Sequence, residues 1–182
     1  MPHIDLPPNA PGILGPMTAY PRLAQHLNGL AQALLRGPSS LTPADRELIA
    51  TSVSSGNECY FCTQSHAAVA RELYGAGCSV VDELLDDAQT APVPEKLRAL
   101  LAVAEKVRQG GRQVSAADID RARKVGADDE AIHDTVLIAA AFCMFNRYVD
   151  GLATWAPAQP EVYQKIGERL AIQGYMSKPS DE

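Results

Sequence analysis

TPADRELIATSVSSGNECYFCTQSH, residues 42–66, holds two helical signals back to back with a turn between them. Thr42 can cap a helix that Pro43 opens: the threonine hydroxyl satisfies a free amide, and proline loses nothing in a first turn. Glu47, Leu48, Ile49 and Val53 follow on that helix, which fades at Ser54-Ser55-Gly56. Asn57 can cap a third helix that opens directly into the cysteine pair and runs to about Tyr74, before Gly75 and Gly77. No stretch elsewhere alternates apolar and polar residues between turn signals, so nothing argues for a strand.

Working outward, Leu23, Leu27, Leu30 and Leu34 recur at four- and three-residue spacing as one apolar stripe, and Gly37-Pro38 stops that helix. Downstream, a short helix is expected over about Val80 to Ala88 and another from near Pro94 to Gly110-Gly111. Ser115 can cap the next, with Asp118 three residues on. A longer helix is expected from about Asp128 to Tyr148, with Ile132, Val136, Ala139, Ala140 and Cys143 on one face. A last one covers about Pro160 to Gln173. The expected fold class is therefore all-α, a bundle of about seven or eight helices.

Residues 1–19 break the pattern, with five prolines and two glycines and no helical period. Proline fixes φ and lacks a donor, so this stretch is expected to be an extended N-terminal arm. Ile4, Leu6, Ile13, Leu14 and Met17 favour an arm that packs over one that frays. The expected organisation is an arm over 1–19 and a single all-helical domain over 20–182.

Composition narrows the function classes. Hydrophobic residues at 46% and charged residues at 21% are globular proportions, and 182 residues can bury a core without disulfide staples. Sixteen Lys and Arg against twenty-two Asp and Glu leave a net charge of −6, without the basic footprint that nucleic acid requires. No apolar run is long enough to span a bilayer, and the first residues lack the basic and apolar regions of a secretory signal. A cytoplasmic location is expected, where thiols stay reduced. Four cysteines there suggest redox catalysis or metal binding more than a structural framework.

Cys59, Cys62 and His66 are the informative residues. On a helix, steps of three and four place all three on one face. A helix N-terminus stabilises a thiolate, the reactive form of cysteine. His66 can serve as the local base for Cys62, and a helical hairpin can bring Glu47 beside it. The same residues allow two other readings: a zinc half-site with His66 as third ligand, though without an evident fourth, and a pair of inert core cysteines. Cys78 and Cys143 lack a spaced partner and read as structural. His133 reads as solvated or capping, Arg147 and Asp150 as a structural ion pair one turn apart, and Phe142, Phe145 and Trp155 as core or interface anchors.

Glu47, eleven intervening residues, Cys59-x-x-Cys62 and three residues to His66 resemble the alkyl hydroperoxidase D-like group of the carboxymuconolactone decarboxylase family. The run Phe145-Asn146-Arg147-Tyr148-Val149-Asp150-Gly151-Leu152 is similar to the segment that follows in peroxidase-related members, so the likeness spans roughly Thr42 to Trp155. The resemblance implies an all-helical homo-oligomer, a trimer or hexamer, that reduces hydroperoxides and is re-reduced by a dithiol donor such as a lipoylated protein. No cofactor or metal is expected. Cys62 would then be the peroxidatic thiolate, Cys59 the resolving thiol, His66 the proton acceptor and Glu47 the group that relays the proton. Some peroxidase-active relatives place a histidine immediately before the second cysteine, where this chain has Phe61. The alternative is a non-catalytic helical oligomer with structural zinc or a regulatory thiol pair. The family's lactone decarboxylases lack the paired cysteines.

Overall fold

In the computed structural model, which describes residues 1–176, Thr42 does cap a helix: its Oγ1 accepts the Asp45 amide at 3.1 Å. The helices are α1 (Leu14–Ala19), α2 (Pro21–Arg36), α3 (Pro43–Gly56), α4 (Tyr60–Tyr74), α5 (Val80–Asp86), α6 (Glu95–Gln109), α7 (Ala116–Lys124), α8 (Asp129–Gly151) and α9 (Pro160–Gln173), with one 3-10 turn at Gly111–Gln113. The described residues contain no strand, so the fold is all-α as expected. Among the described residues no helix is long and apolar enough to cross a membrane. The domain end expected at residue 182 lies outside the described residues.

The helix count exceeds the expected seven or eight because part of the arm is helical. Gly15 and Pro16 occupy the first turn of α1, where the amide that proline lacks has no intrahelical partner to lose. The remainder of the arm runs without regular structure along the loop after α8, with the His3 amide on the Leu152 carbonyl at 3.0 Å and the Gly12 amide on the Trp155 carbonyl at 2.9 Å. Gly12 sits at φ +53° against Phe61, and a Cβ there would fall 2.1 Å from the ring. Only glycine fits.

Helices α3 and α4 form an antiparallel hairpin, flanked by α6 and α8 on one side and by α9 on the other. The main core gathers Leu35, Leu48, Ile49, Leu100, Ile138 and Phe142 from α2, α3, α6 and α8. A second, smaller cluster holds Cys59, Phe61, Cys62, Ala68, Val149 and Tyr163, so the cysteine pair sits where α4, α8 and α9 meet. Asp118 accepts from both the Ser115 amide and hydroxyl at 2.9 and 2.6 Å, which fixes the start of α7 as the spacing predicts.

Three local expectations are corrected. Asn57 does not cap α4. It ends α3, and its Nδ2 donates to Asn146 Oδ1 at 2.8 Å, while Glu58 at φ +60° turns the chain and Cys59 takes the N-cap position. On α8, Ala139 and Cys143 are buried as expected, but Ile132 and Val136 are only half-buried and Ala140 is exposed, and the buried face is carried by Ala131, Thr135, Ile138, Phe142, Phe145 and Val149. Residues 136–145 are apolar on every side of the helix, so periodicity could not choose among the faces. The leucine stripe of α2 is also graded: Leu34 is buried, Leu27 and Leu30 half-buried, and Leu23 exposed.

Helices α4 and α9 pack closely at Gly167, where a Cβ would lie 2.8 Å from the Ala68 backbone. Because the obstacle is backbone, Gly167→Ala is expected to force the helices apart and cost about 1–3 kcal/mol. Thermal melting of the variant checks this; an unchanged midpoint would show that the helix spacing is slack.

Candidate active site

Glu47, on α3, is fully buried, and the hairpin turn brings His66 of α4 onto it. His66 Nδ1 donates to Glu47 Oε2 at 2.7 Å. The carboxylate selects the tautomer with the proton on Nδ1, which leaves Nε2 as the nitrogen that can accept a proton. The other carboxylate oxygen receives two further groups: Arg36 Nη1 lies 2.8 Å from Oε1, and the Tyr175 hydroxyl donates to it at 2.7 Å. Tyr175 also stacks near-parallel on the His66 ring, Phe142 meets that ring edge-on, and the Arg36 guanidinium covers the Tyr175 ring at 5.3 Å.

Electrostatics follow from this enclosure. Burial pushes the Glu47 carboxyl up, but His66, Arg36 and the Tyr175 hydrogen bond outweigh it, and its pKa falls below the ordinary carboxylate value. Burial, reinforced by the neighbouring Glu47 charge, raises Tyr175 well above an ordinary phenol, so it stays a neutral donor.

The two cysteines are both free thiols and both buried, yet their situations differ. The neighbouring Cys62 thiol, together with burial, raises Cys59 far above a free thiol. The Cys59 thiol in turn lowers Cys62 against the opposing effect of burial, and His66 and Asn146 lower it further. Cys62 also lies in the first turn of α4, where the helix terminus favours an anion. Of the pair, Cys62 is the thiol whose pKa is lowered.

A cavity of about 350 Å³ opens over this site. Cys62, Ser65 and His66, at steps of three and one along α4, line its floor; Cys59 does not reach it. Phe61 also lines the cavity, and its ring holds the arm at Gly12.

All four residues picked from the sequence, Glu47, Cys59, Cys62 and His66, are thus brought together. Sequence reasoning missed Arg36, Tyr175, Asn146 and Asp150. Asn146 is buried at 1% exposure, donates to Ser54 Oγ at 3.1 Å and accepts from Asn57. Asp150 does not pair with Arg147. Burial raises its carboxyl, and the neighbouring Cys59 thiol partly offsets this. Asn146 and Asp150 stand four apart on α8, a spacing that could have marked one face towards the cysteines; Arg36 and Tyr175 carry no such signal. His133 is exposed beside Asp134, Phe142 and Phe145 are core, and Trp155 is 42% exposed. Among the described residues no three of His, Cys, Asp or Glu gather as a metal site.

Residues 21–105 match the sequence model of the carboxymuconolactone decarboxylase family, a span that holds Glu47, Cys59, Cys62 and His66. No curated protein matches the sequence. Among solved structures, the chain is similar to an alkylhydroperoxidase AhpD core, an uncharacterized peroxidase-related protein from Ralstonia eutropha JMP134. The two are 25% identical with a TM-score of 0.77, over 86% of this chain and 80% of that one. An uncharacterized peroxidase-related protein from Silicibacter sp. TM1040 is 28% identical with a TM-score of 0.70, over 77% and 71% of the two chains. A protein of unknown function from Agrobacterium tumefaciens, 21% identical over 81% of this chain and 99% of its own, shares the fold with a TM-score of 0.69.

Proposed function

Because residues 21–105 match the sequence model of the carboxymuconolactone decarboxylase family, and the fold is similar to that of an alkylhydroperoxidase AhpD core, we propose that this chain is an antioxidant dithiol peroxidase. It reduces hydroperoxides as a peroxiredoxin-like alkyl hydroperoxide reductase. One observation carries the reading: the buried Glu47–His66 pair stands beside two free thiols, of which only Cys62 faces the cavity.

The chemistry divides among these residues. His66 Nε2 takes the Cys62 proton, and Glu47 stabilises the resulting imidazolium. The Cys62 sulfur attacks the terminal peroxide oxygen; an S–O bond forms as the O–O bond breaks. The electron pair passes to the inner oxygen, which takes the proton from His66 and leaves as alcohol or water. Cys59 then attacks the sulfenic acid, closing a Cys59–Cys62 disulfide and releasing water. Its raised pKa suits a thiol that keeps its proton until Cys62 is oxidised. A dithiol, including a lipoylated protein, reopens the disulfide by exchange. A cytoplasmic setting, where such dithiols are kept reduced, and assembly into a trimer or hexamer belong to the same reading.

Treatment with one equivalent of hydroperoxide tests it. Peptide mapping is expected to show Cys59 joined to Cys62, with both thiols restored by a small dithiol. Thiols at Cys59 and Cys62 that survive the peroxide would overturn the reading.

A further inference from the structure

The cavity over Cys62 is larger than the smallest peroxide requires. At about 350 Å³ it reaches the range of small-molecule pockets, about 300–1,000 Å³. Hydrogen peroxide, little bigger than a water at about 30 Å³, would leave most of it unfilled. The walls are apolar, with Ile13, Leu27, Phe145, Ile166 and Leu170 among them. A chain of carbon atoms fits that lining.

Its polar groups lie at two ends. At the floor, Ser65 is 5% exposed and its Oγ has no hydrogen-bond partner. A buried hydroxyl surrounded by apolar groups is normally satisfied, so this one points to a missing acceptor or donor. Ser65 stands one helical turn from Cys62 and adjoins His66, beside the place where a peroxide must sit. At the rim, Leu14, Gln173 and Met176 are exposed together with Arg169. Arg169 forms no ion pair with any described residue. Among the described residues no carboxylate lines the cavity: Glu47 lies behind His66 with both oxygens engaged.

From this polarity we propose that the cavity binds an amphipathic organic hydroperoxide carrying a carboxylate. The carboxylate pairs with Arg169 at the rim, the apolar body fills the cavity, and the peroxide group hydrogen-bonds to Ser65 beside Cys62. This rests on the peroxidase reading and names its substrate class. Ser65 can donate to the inner peroxide oxygen, where negative charge grows as the O–O bond breaks, while the proton itself comes from His66.

Linoleic acid hydroperoxide and its methyl ester, which differ only in the anion, are the probes. The acid is expected to show the higher kcat/KM, by about fivefold, the size of an exposed charge pair. Arg169→Gln is expected to erase that preference by lowering kcat/KM for the acid more than for the ester. Ser65→Ala is expected to lower kcat for both while keeping the acid preference. Equal kcat/KM for acid and ester in the wild-type protein overturns the proposal, as does an equal loss on both in Arg169→Gln. Calorimetric binding of the hydroxy acid and its ester, which contain no peroxide, separates the two layers. An Arg169-dependent preference for the acid without any turnover would sink the peroxidase reading and keep the carboxylate site. Binding of neither would mean that another segment or a second copy fills the cavity, and would overturn the proposal.

Discussion

Cys62→Ser is expected to reduce hydroperoxide consumption to the rate of a protein-free control, with helical content unchanged. Among the described residues the sulfur is the only group at the cavity floor that can accept a peroxide oxygen, and serine at that position keeps the size but not the nucleophile. Cys59→Ser should behave differently, because Cys59 lies outside the cavity. That variant is expected to react once per chain and stop as a sulfenic acid at Cys62, which dimedone labelling and mass measurement would detect. His66→Ala leaves the nucleophile without its base and should slow turnover by about 10²–10⁴-fold. Full activity in Cys62→Ser, or dimedone labelling of Cys59 in place of Cys62, would reverse the assignment of the two sulfurs.

Glu47→Gln is expected to carry the largest stability cost of any site variant. The carboxylate is fully buried and holds Arg36 and His66 at 2.8 and 2.7 Å. Replacing it by a neutral amide leaves a guanidinium enclosed without its anion, a change worth about 3–5 kcal/mol when one partner of a buried pair is removed. Urea unfolding at neutral pH measures it. The pH dependence has a definite sign. Glu47 has a lowered pKa in the folded protein, so its contribution is complete above the unfolded value of about 4.3 and drains away as pH falls through the lower folded value. The gap between wild type and Glu47→Gln should therefore close in acid. The same substitution replaces the carboxylate that orients His66 beside Cys62, so iodoacetamide alkylation of Cys62 should slow. Identical unfolding midpoints would show that Arg36 and Tyr175 hold the site without Glu47.

The two variants draw on different parts of what could be read in advance. Cys62 and His66 were legible because one helix sets their separation, and helical geometry depends on neighbours three and four residues away. Glu47 was legible only as a possibility: its reach to His66 needed the α3–α4 hairpin to close antiparallel, which the short connection permits without requiring. The start of α4 was misread for a local reason. Asn57 is a good capping residue, but its side chain finds Asn146 on α8, and Glu58 in the left-handed region lets Cys59 take the cap instead. A hydrogen bond across 89 residues outcompeted a local preference.

The amino-acid sequence by itself determined that this chain is all-helical, where its principal helices start and stop, and that two cysteines and a histidine cluster at the start of one of them. Those are short-range properties, set by caps, apolar spacing and the helical repeat. Tertiary structure alone decided which sulfur faces the cavity and which lies behind it. It also brought Arg36 from the end of α2 and Tyr175 from beyond α9 onto Glu47, the latter across 128 residues. No periodicity announces such a meeting, because it depends on how whole helices pack and on what their burial leaves for a carboxylate to hold.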